Sequence, residues 1–285
     1  MKLSTITGAD GGVCLVRLDD LTAIADGFGL AISDPLNQEV LADVVKLLIG
    51  VLSSHTTGVI PDRKLGLLQL PHKAPSAGVV FSLQEAGSAD PLSLPCFIEE
   101  WGVEQIANNY GVGMLELYYQ PSEVLSLQKK QVVAEVADYC KYEGIDLILN
   151  LQLALSTTSD EAKKLYSETV LESVTELQSQ VDLFILPYLD DPLMLATITA
   201  ELDTPWIAHL PATEYEVVKD QLRVVLDSGA VGAVFGEALW KDIYQLKRED
   251  QGIDTAAVTQ FLRTQGRDRI LELRRIISEA APVKA

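Results

Sequence analysis

The acid most able to do chemistry in this chain lies inside an apolar run. In VGMLELYY, residues 112–119, a single glutamate interrupts a stretch that otherwise reads as a strand. Side chains alternate across a strand, so Met114, Glu116 and Tyr118 share one face. If that face turns inward, Glu116 is an interior carboxylate, and an interior carboxylate needs a partner or a proton. The next apolar run, IDLILNLQL, carries Asn150 and Gln152 at the same spacing, and either carboxamide could supply that partner. A carboxylate held in this way is suited to moving protons.

Other reactive side chains stand where apolar runs end. Asp34 follows GLAIS, Gln84 and Glu85 follow VVFSL, and His209 closes PWIAHL. These are candidate acid–base groups or polar ligands. In IPDRKLG, Lys64 is a candidate nucleophile, because Arg63 beside it would favour the neutral amine and Asp62 could pass protons. In GAVGAVFGEALWKD the order is strand, glycine, helix start, with Gly236 and then Glu237. Such a junction offers backbone N–H groups to a phosphate, usually with a cation nearby. Here the first side chain is an acid. It either repels a phosphate or simply complements a helix N-terminus. Asp34, Glu116, Asn150 and Glu237 could together hold a divalent metal on oxygen ligands, although nothing in their spacing requires one and no cofactor is expected.

The elements that must position these residues alternate between strand and helix. Eight short apolar runs start at Gly29, Thr57, Ala77, Val112, Ile145, Val181, Pro205 and Val231. Continuous apolar runs are expected where both faces of a parallel sheet are buried. Helical patterns lie near residues 37–54, 95–110, 122–143, 160–180, 191–202 and 213–228, with more helix towards the C-terminus. Eight βα units in 285 residues predict one (β/α)8 TIM barrel spanning residues 1–285 as a single α/β domain. Residues 62–76 are the weak place, being proline-rich without a clear helix, and an open doubly wound sheet is the alternative. In a barrel the polar residues at the C-terminal strand ends form the site.

Composition narrows the partners. There are 22 basic and 41 acidic residues, a net charge of −19, which argues against nucleic acid and anionic membrane. No run is long and apolar enough to span a bilayer, and the first residues do not read as a signal peptide. Three separated cysteines make no disulfide framework, and with three histidines they leave no zinc cluster. A cytoplasmic protein is expected. Exposed helix faces, through which barrels often pair, leave a homo-oligomer open.

Two longer segments carry a family resemblance. SLQEAG through DPLSLPCFIEEWGVEQIANNYGVGMLELYYQP, and PWIAHLPATEYEVVKDQLRVVLDSGAVGAVFGEALWKD, resemble the tagatose-1,6-bisphosphate aldolase family, which includes the sulfofructosephosphate aldolases. The shared features are a strand ending in Tyr-Tyr after a helix with a tryptophan, and an Ala-Leu-Trp-Lys run after a glycine. The likeness extends over about residues 29–242. It implies a class I aldolase barrel, in which a buried lysine forms an imine with a ketose phosphate and a carboxylate moves protons.

Carried over position by position, the family's pattern changes. Its imine-forming lysine falls on Ile185 and a second strand lysine on Met114. The acid after the third strand falls on Gln84, with Glu85 adjacent. The phosphate-binding arginine falls on Glu237. The acid after the first strand corresponds to Asp34, loosely by one position. The expectation is therefore a divergent aldolase-like protein acting on or binding a small carbohydrate or carbonyl compound. Glu116, Asp34, Lys64 and His209 are its candidate catalytic residues, and Asn150, Gln152, Gln84, Gly236 and Glu237 would contact the ligand. The rival is a catalytically inactive barrel that serves as a binding or scaffold module.

Overall fold

The computed structural model describes residues 3–85, 87, 89–155, 157–211, 214–248 and 252–280. Its eight strands are β1 (Val13–Leu18), β2 (Gly58–Pro61), β3 (Gly78–Ser82), β4 (Val112–Tyr118), β5 (Leu147–Gln152), β6 (Leu183–Pro187), β7 (Trp206–His209) and β8 (Gly232–Phe235). They follow one another in sequence order and close into a barrel. The interspersed helices are α1 (Leu21–Phe28), α2 (Pro35–Leu52), α3 (Gly66–Gln69), α4 (Val103–Asn108), α5 (Ser126–Glu143), α6 (Asp160–Leu177), α7 (Pro192–Glu201) and α8 (Tyr215–Asp227), followed by α9 (Thr255–Phe261) and α10 (Arg267–Ala280). This is the (β/α)8 barrel that eight apolar runs predict. Among the described residues no helix is long and apolar enough to cross a membrane.

The first strand is not where the apolar pattern puts it. Residues 29–33 form no strand, and β1 is Val13–Leu18 instead. Gly29 is the left-handed C-cap of α1 at φ 71°, with its N–H bonded to the Ala25 and Asp26 carbonyls. Asp34 then caps α2, accepting from Leu36 N at 3.0 Å, with Pro35 in the first turn. Glycine after a helix and Asp-Pro before one are stop and start signals that outweigh three apolar residues between them. The helix expected over residues 95–110 is also shorter, with α4 covering only Val103–Asn108. The weak second unit does hold a helix, the single turn α3, followed by a 3-10 turn.

The described residues fall into two compact units. One comprises residues 3–4, 80–209 and 223–233, and the other residues 5–79, 210–222 and 234–280. In the first, β4 and β5 pair in parallel over six residues, from Gly113 opposite Leu147 to Tyr118 opposite Gln152. β6 pairs with β5, and β7 with β6. In the second, β1 pairs with β2 from Leu15 opposite Gly58, and α2 buries Leu41, Val44, Val45, Leu48, Ile49 and Leu52 as one stripe. Gly78 is required there, because a Cβ would sit 2.4 Å from the Thr5 carbonyl oxygen.

Candidate functional site

The β4–β5 pair shows how a strand alternation becomes a site. Tyr119, one residue past β4, bonds its hydroxyl to Glu176 on α6, so the odd-numbered positions look towards the helices. The even positions, Met114, Glu116 and Tyr118, face the opposite way, as do Ile148, Asn150 and Gln152 on β5. Glu116 stands directly opposite Asn150 in the parallel register.

Four polar side chains meet there. Asn150, fully buried, donates from Nδ2 to Glu116 Oε2 at 3.0 Å. Gln152 Nε2 donates to Asn150 Oδ1 at 3.1 Å. Gln84, in the segment after β3, accepts from Glu116 N with its Oε1 at 2.8 Å. Gln84 is 2% exposed, and its Nε2 has no hydrogen-bond partner among the described residues. A buried amide donor left unmade costs about 1–3 kcal/mol, a cost that an oxygen acceptor brought to this Nε2 would offset. The structure thus brings together Glu116, Asn150, Gln152 and Gln84 at the C-terminal ends of neighbouring strands, where barrel sites lie.

The remaining candidates lie elsewhere. Asp34 is an exposed helix cap rather than an acid following the first strand. The acids that follow β1 are Asp19, which is buried and paired with Arg17 at 2.8 Å, and Asp20, which caps α1. Lys64 is exposed in the turn after β2. Its N–H and that of Leu65 both donate to Asp62 Oδ1 at 2.7 Å, so Asp62 holds the turn. His209 ends β7, half-buried, opposite Pro187 of β6.

Glu237 has a different answer from the one the sequence raises. No long helix opens on it: Glu237–Leu239 is a three-residue 3-10 turn, with Gly236 before it. Its carboxylate accepts from the Tyr244 hydroxyl at 2.5 Å. Burial first, and the bond to Glu237 second, raise the Tyr244 phenol well above its ordinary range, so it stays a donor. The acid after β8 therefore holds a tyrosine that packs edge-on against Phe28, with ring centroids 4.9 Å apart.

Among the described residues no strand carries a lysine, and Arg17 is the strands' one permanent cation. Ile185 and Met114 occupy β6 and β4 as buried apolar side chains. One buried lysine escapes sequence reasoning. Lys129 on α5 is 1% exposed, and its Nζ donates to Tyr118 O at 2.8 Å, Pro91 O at 2.9 Å and Glu123 Oε2 at 3.1 Å. Three acceptors hold its Nζ, which ties residue 91 to the end of β4. Nothing in SLQKKQ separates it from its exposed neighbours. Lys73 is half-buried, and burial lowers its pKa, but it precedes β3 and donates to the Ala74 and Ala77 carbonyls. The Cys14 and Cys140 thiols are each pushed up to about 12, chiefly by burial, and are inert as nucleophiles. Among the described residues no three His, Cys, Asp or Glu side chains converge as a metal site needs.

No protein-family model matches the chain, and none of the curated proteins does. Solved structures do resemble it. An archaeal fructose-1,6-bisphosphate aldolase, with its catalytic lysine covalently bound to a carbinolamine intermediate, aligns at TM-score 0.65 and 15% identity over 97% of this chain and 98% of its own. A fructose-bisphosphate aldolase from Slackia heliotrinireducens aligns at 0.60 and 12% identity over 96% and 89%. A protein from Corynebacterium glutamicum aligns at 0.60 and 14% identity over 93% and 87%. At such identities the likeness establishes the fold alone: this chain is a (β/α)8 barrel, as these structures are.

Proposed function

We propose that the chain is a divergent relative of the tagatose-1,6-bisphosphate aldolase type that acts on a small hydroxylated carbonyl compound at Glu116 without forming an imine. The observation that carries this reading is the carboxylate of Glu116 held by buried Asn150, with Gln84 on the Glu116 backbone N–H and its Nε2 without a partner among the described residues. A carboxylate takes up a proton, and an amide N–H binds a carbonyl oxygen. In an aldol-type cleavage Glu116 would accept the proton of the substrate hydroxyl. The electrons of the breaking carbon–carbon bond would pass to the carbonyl group, and the resulting enolate oxygen would face the Gln84 amide. Glu116 then returns its proton to the enolate carbon, which completes the step and restores the carboxylate.

Two features support chemistry away from the resembled pattern. Among the described residues no strand carries a lysine, and Glu237 bonds Tyr244 where that family has a phosphate-binding cation. The second of these also favours a binding module without turnover. The two readings separate on incubation with dihydroxyacetone, glyceraldehyde, fructose and their phosphates, followed by NMR. Turnover that falls at least ~100-fold in Glu116→Gln supports acid–base chemistry there. Binding without turnover supports the module. Turnover unchanged in Glu116→Gln sinks the proposal.

A further inference from the structure

A cleft of about 480 Å³ opens between the first turns of α6 and the segment after β6. Asp160, Lys163 and Tyr166 line it from the helix, and Tyr188, Leu189 and Asp190 from the other side. Its walls follow the ends of β5 and β6, so it opens at the C-terminal ends of two neighbouring strands, the side on which barrels bind ligands. Its volume lies in the range of about 300–1,000 Å³ usual for small-molecule sites. Leu189 is buried and both tyrosines are half-buried, so the cleft has an apolar floor and two aromatic walls.

Its chemistry is mixed and not that of an anion site. Two other lining residues are already engaged on their own helices: Lys164 pairs with Glu168 at 3.7 Å, and Asp191 caps α7 by accepting from Met194 N at 3.0 Å. What remains is one ammonium, Lys163, against the carboxylates of Asp160 and Asp190. A phosphate or carboxylate would meet more negative than positive charge. The positive end of α6 is also complemented by its own Asp160 and Glu161. A cationic ligand would meet Lys163. Both phenols remain protonated: burial raises Tyr166 and Tyr188, helped by nearby Tyr118 and Asp190 respectively. Each can therefore donate and accept.

A hydroxyl group suits all of these at once, donating to a carboxylate while accepting from an ammonium or a phenol. The apolar C–H face of a sugar suits a tyrosine ring. We propose that this cleft is a binding site for a neutral polyhydroxylated ligand, a free sugar or sugar alcohol. The site uses none of the four residues around Glu116 and does not depend on chemistry there.

The test uses ligand-observed NMR titration of the whole chain with xylitol and sorbitol, which lack the carbonyl group that chemistry at Glu116 requires, and with sorbitol 6-phosphate as the anionic counterpart. The neutral compounds bind more tightly than the phosphate. Tyr188→Ala and Lys163→Ala each weaken them ~10-fold. Lys163 is exposed, so its variant keeps the test available should Tyr188→Ala fail to fold. Tighter binding of the phosphate, no binding of either neutral compound, or binding indifferent to both cleft variants overturns the proposal. If binding instead follows Glu116→Gln alone, the cleft fails while the reading of Glu116 stands.

Discussion

Asn150 donates to Glu116 at 3.0 Å, and the two residues are direct neighbours in the pairing of β4 with β5. The sheet register itself thus sets the position of the carboxylate. Because Asn150 is fully buried, its amide cannot turn to water, so its orientation is fixed by Glu116 on one side and Gln152 on the other. Removing it strands a buried polar group. Asn150→Ala is expected to lower stability by about 1–3 kcal/mol in urea unfolding. A loss within error would mean that water replaces the amide.

Lys129 offers a second test of a buried polar group. Replacing it with methionine keeps the length of the chain but leaves Glu123, Tyr118 O and Pro91 O without their donor. Breaking a buried pair by removing one partner costs roughly 3 kcal/mol. Because this Nζ anchors residue 91, Lys129→Met should also speed proteolysis within residues 89–102. Unchanged cleavage there would show that the segment is held by other contacts.

The seven strands after the first are legible as apolar runs because both of their faces are buried. The first is not, because Arg17 interrupts Val13–Leu18 while the helix-capping segment at 29–33 reads as apolar. Period-two spacing is enough to place Glu116, Asn150 and Gln152 on one face. It says nothing about Gln84, which reaches Glu116 N from a segment outside any strand. The pairing of Glu237 with Tyr244 is equally hidden, since it depends on how the chain turns through 3-10 geometry after β8.

That pairing is testable by deletion. Tyr244→Phe keeps the ring against Phe28 and removes only the hydroxyl that Glu237 accepts. A hydrogen bond to a charged acceptor contributes roughly 2 kcal/mol, so a loss of that size is expected in chemical unfolding. If Glu237 instead waits for a ligand, Tyr244→Phe should leave stability nearly unchanged.

Asp182 gives a pH dependence with a defined sign. Burial, the largest cause, and neighbouring Asp146 raise its pKa, while the Leu147 N–H that it accepts at 2.8 Å opposes them. A carboxyl raised on folding binds its proton more tightly folded than unfolded. Its contribution is therefore intact below the ordinary carboxylate range and is lost as pH rises from there through the raised value. Asp182→Asn keeps an acceptor for Leu147 and removes that loss. The variant should exceed the parent in thermal midpoint at neutral pH, with the gap closing towards about pH 4. A gap that widens with acid would reverse the assignment.

In the proposed reaction a carboxylate and carboxamides, and not a lysine imine, form the working centre. Intact mass after incubation with dihydroxyacetone phosphate and with fructose 1,6-bisphosphate, each under borohydride, tests it most directly. Among the described residues no strand carries a lysine, and buried Lys129 is held by three acceptors, so the mass should stay that of the unmodified chain. A substrate-dependent adduct mapped to any lysine, Lys64 above all, would contradict the claim and return the chain to imine chemistry.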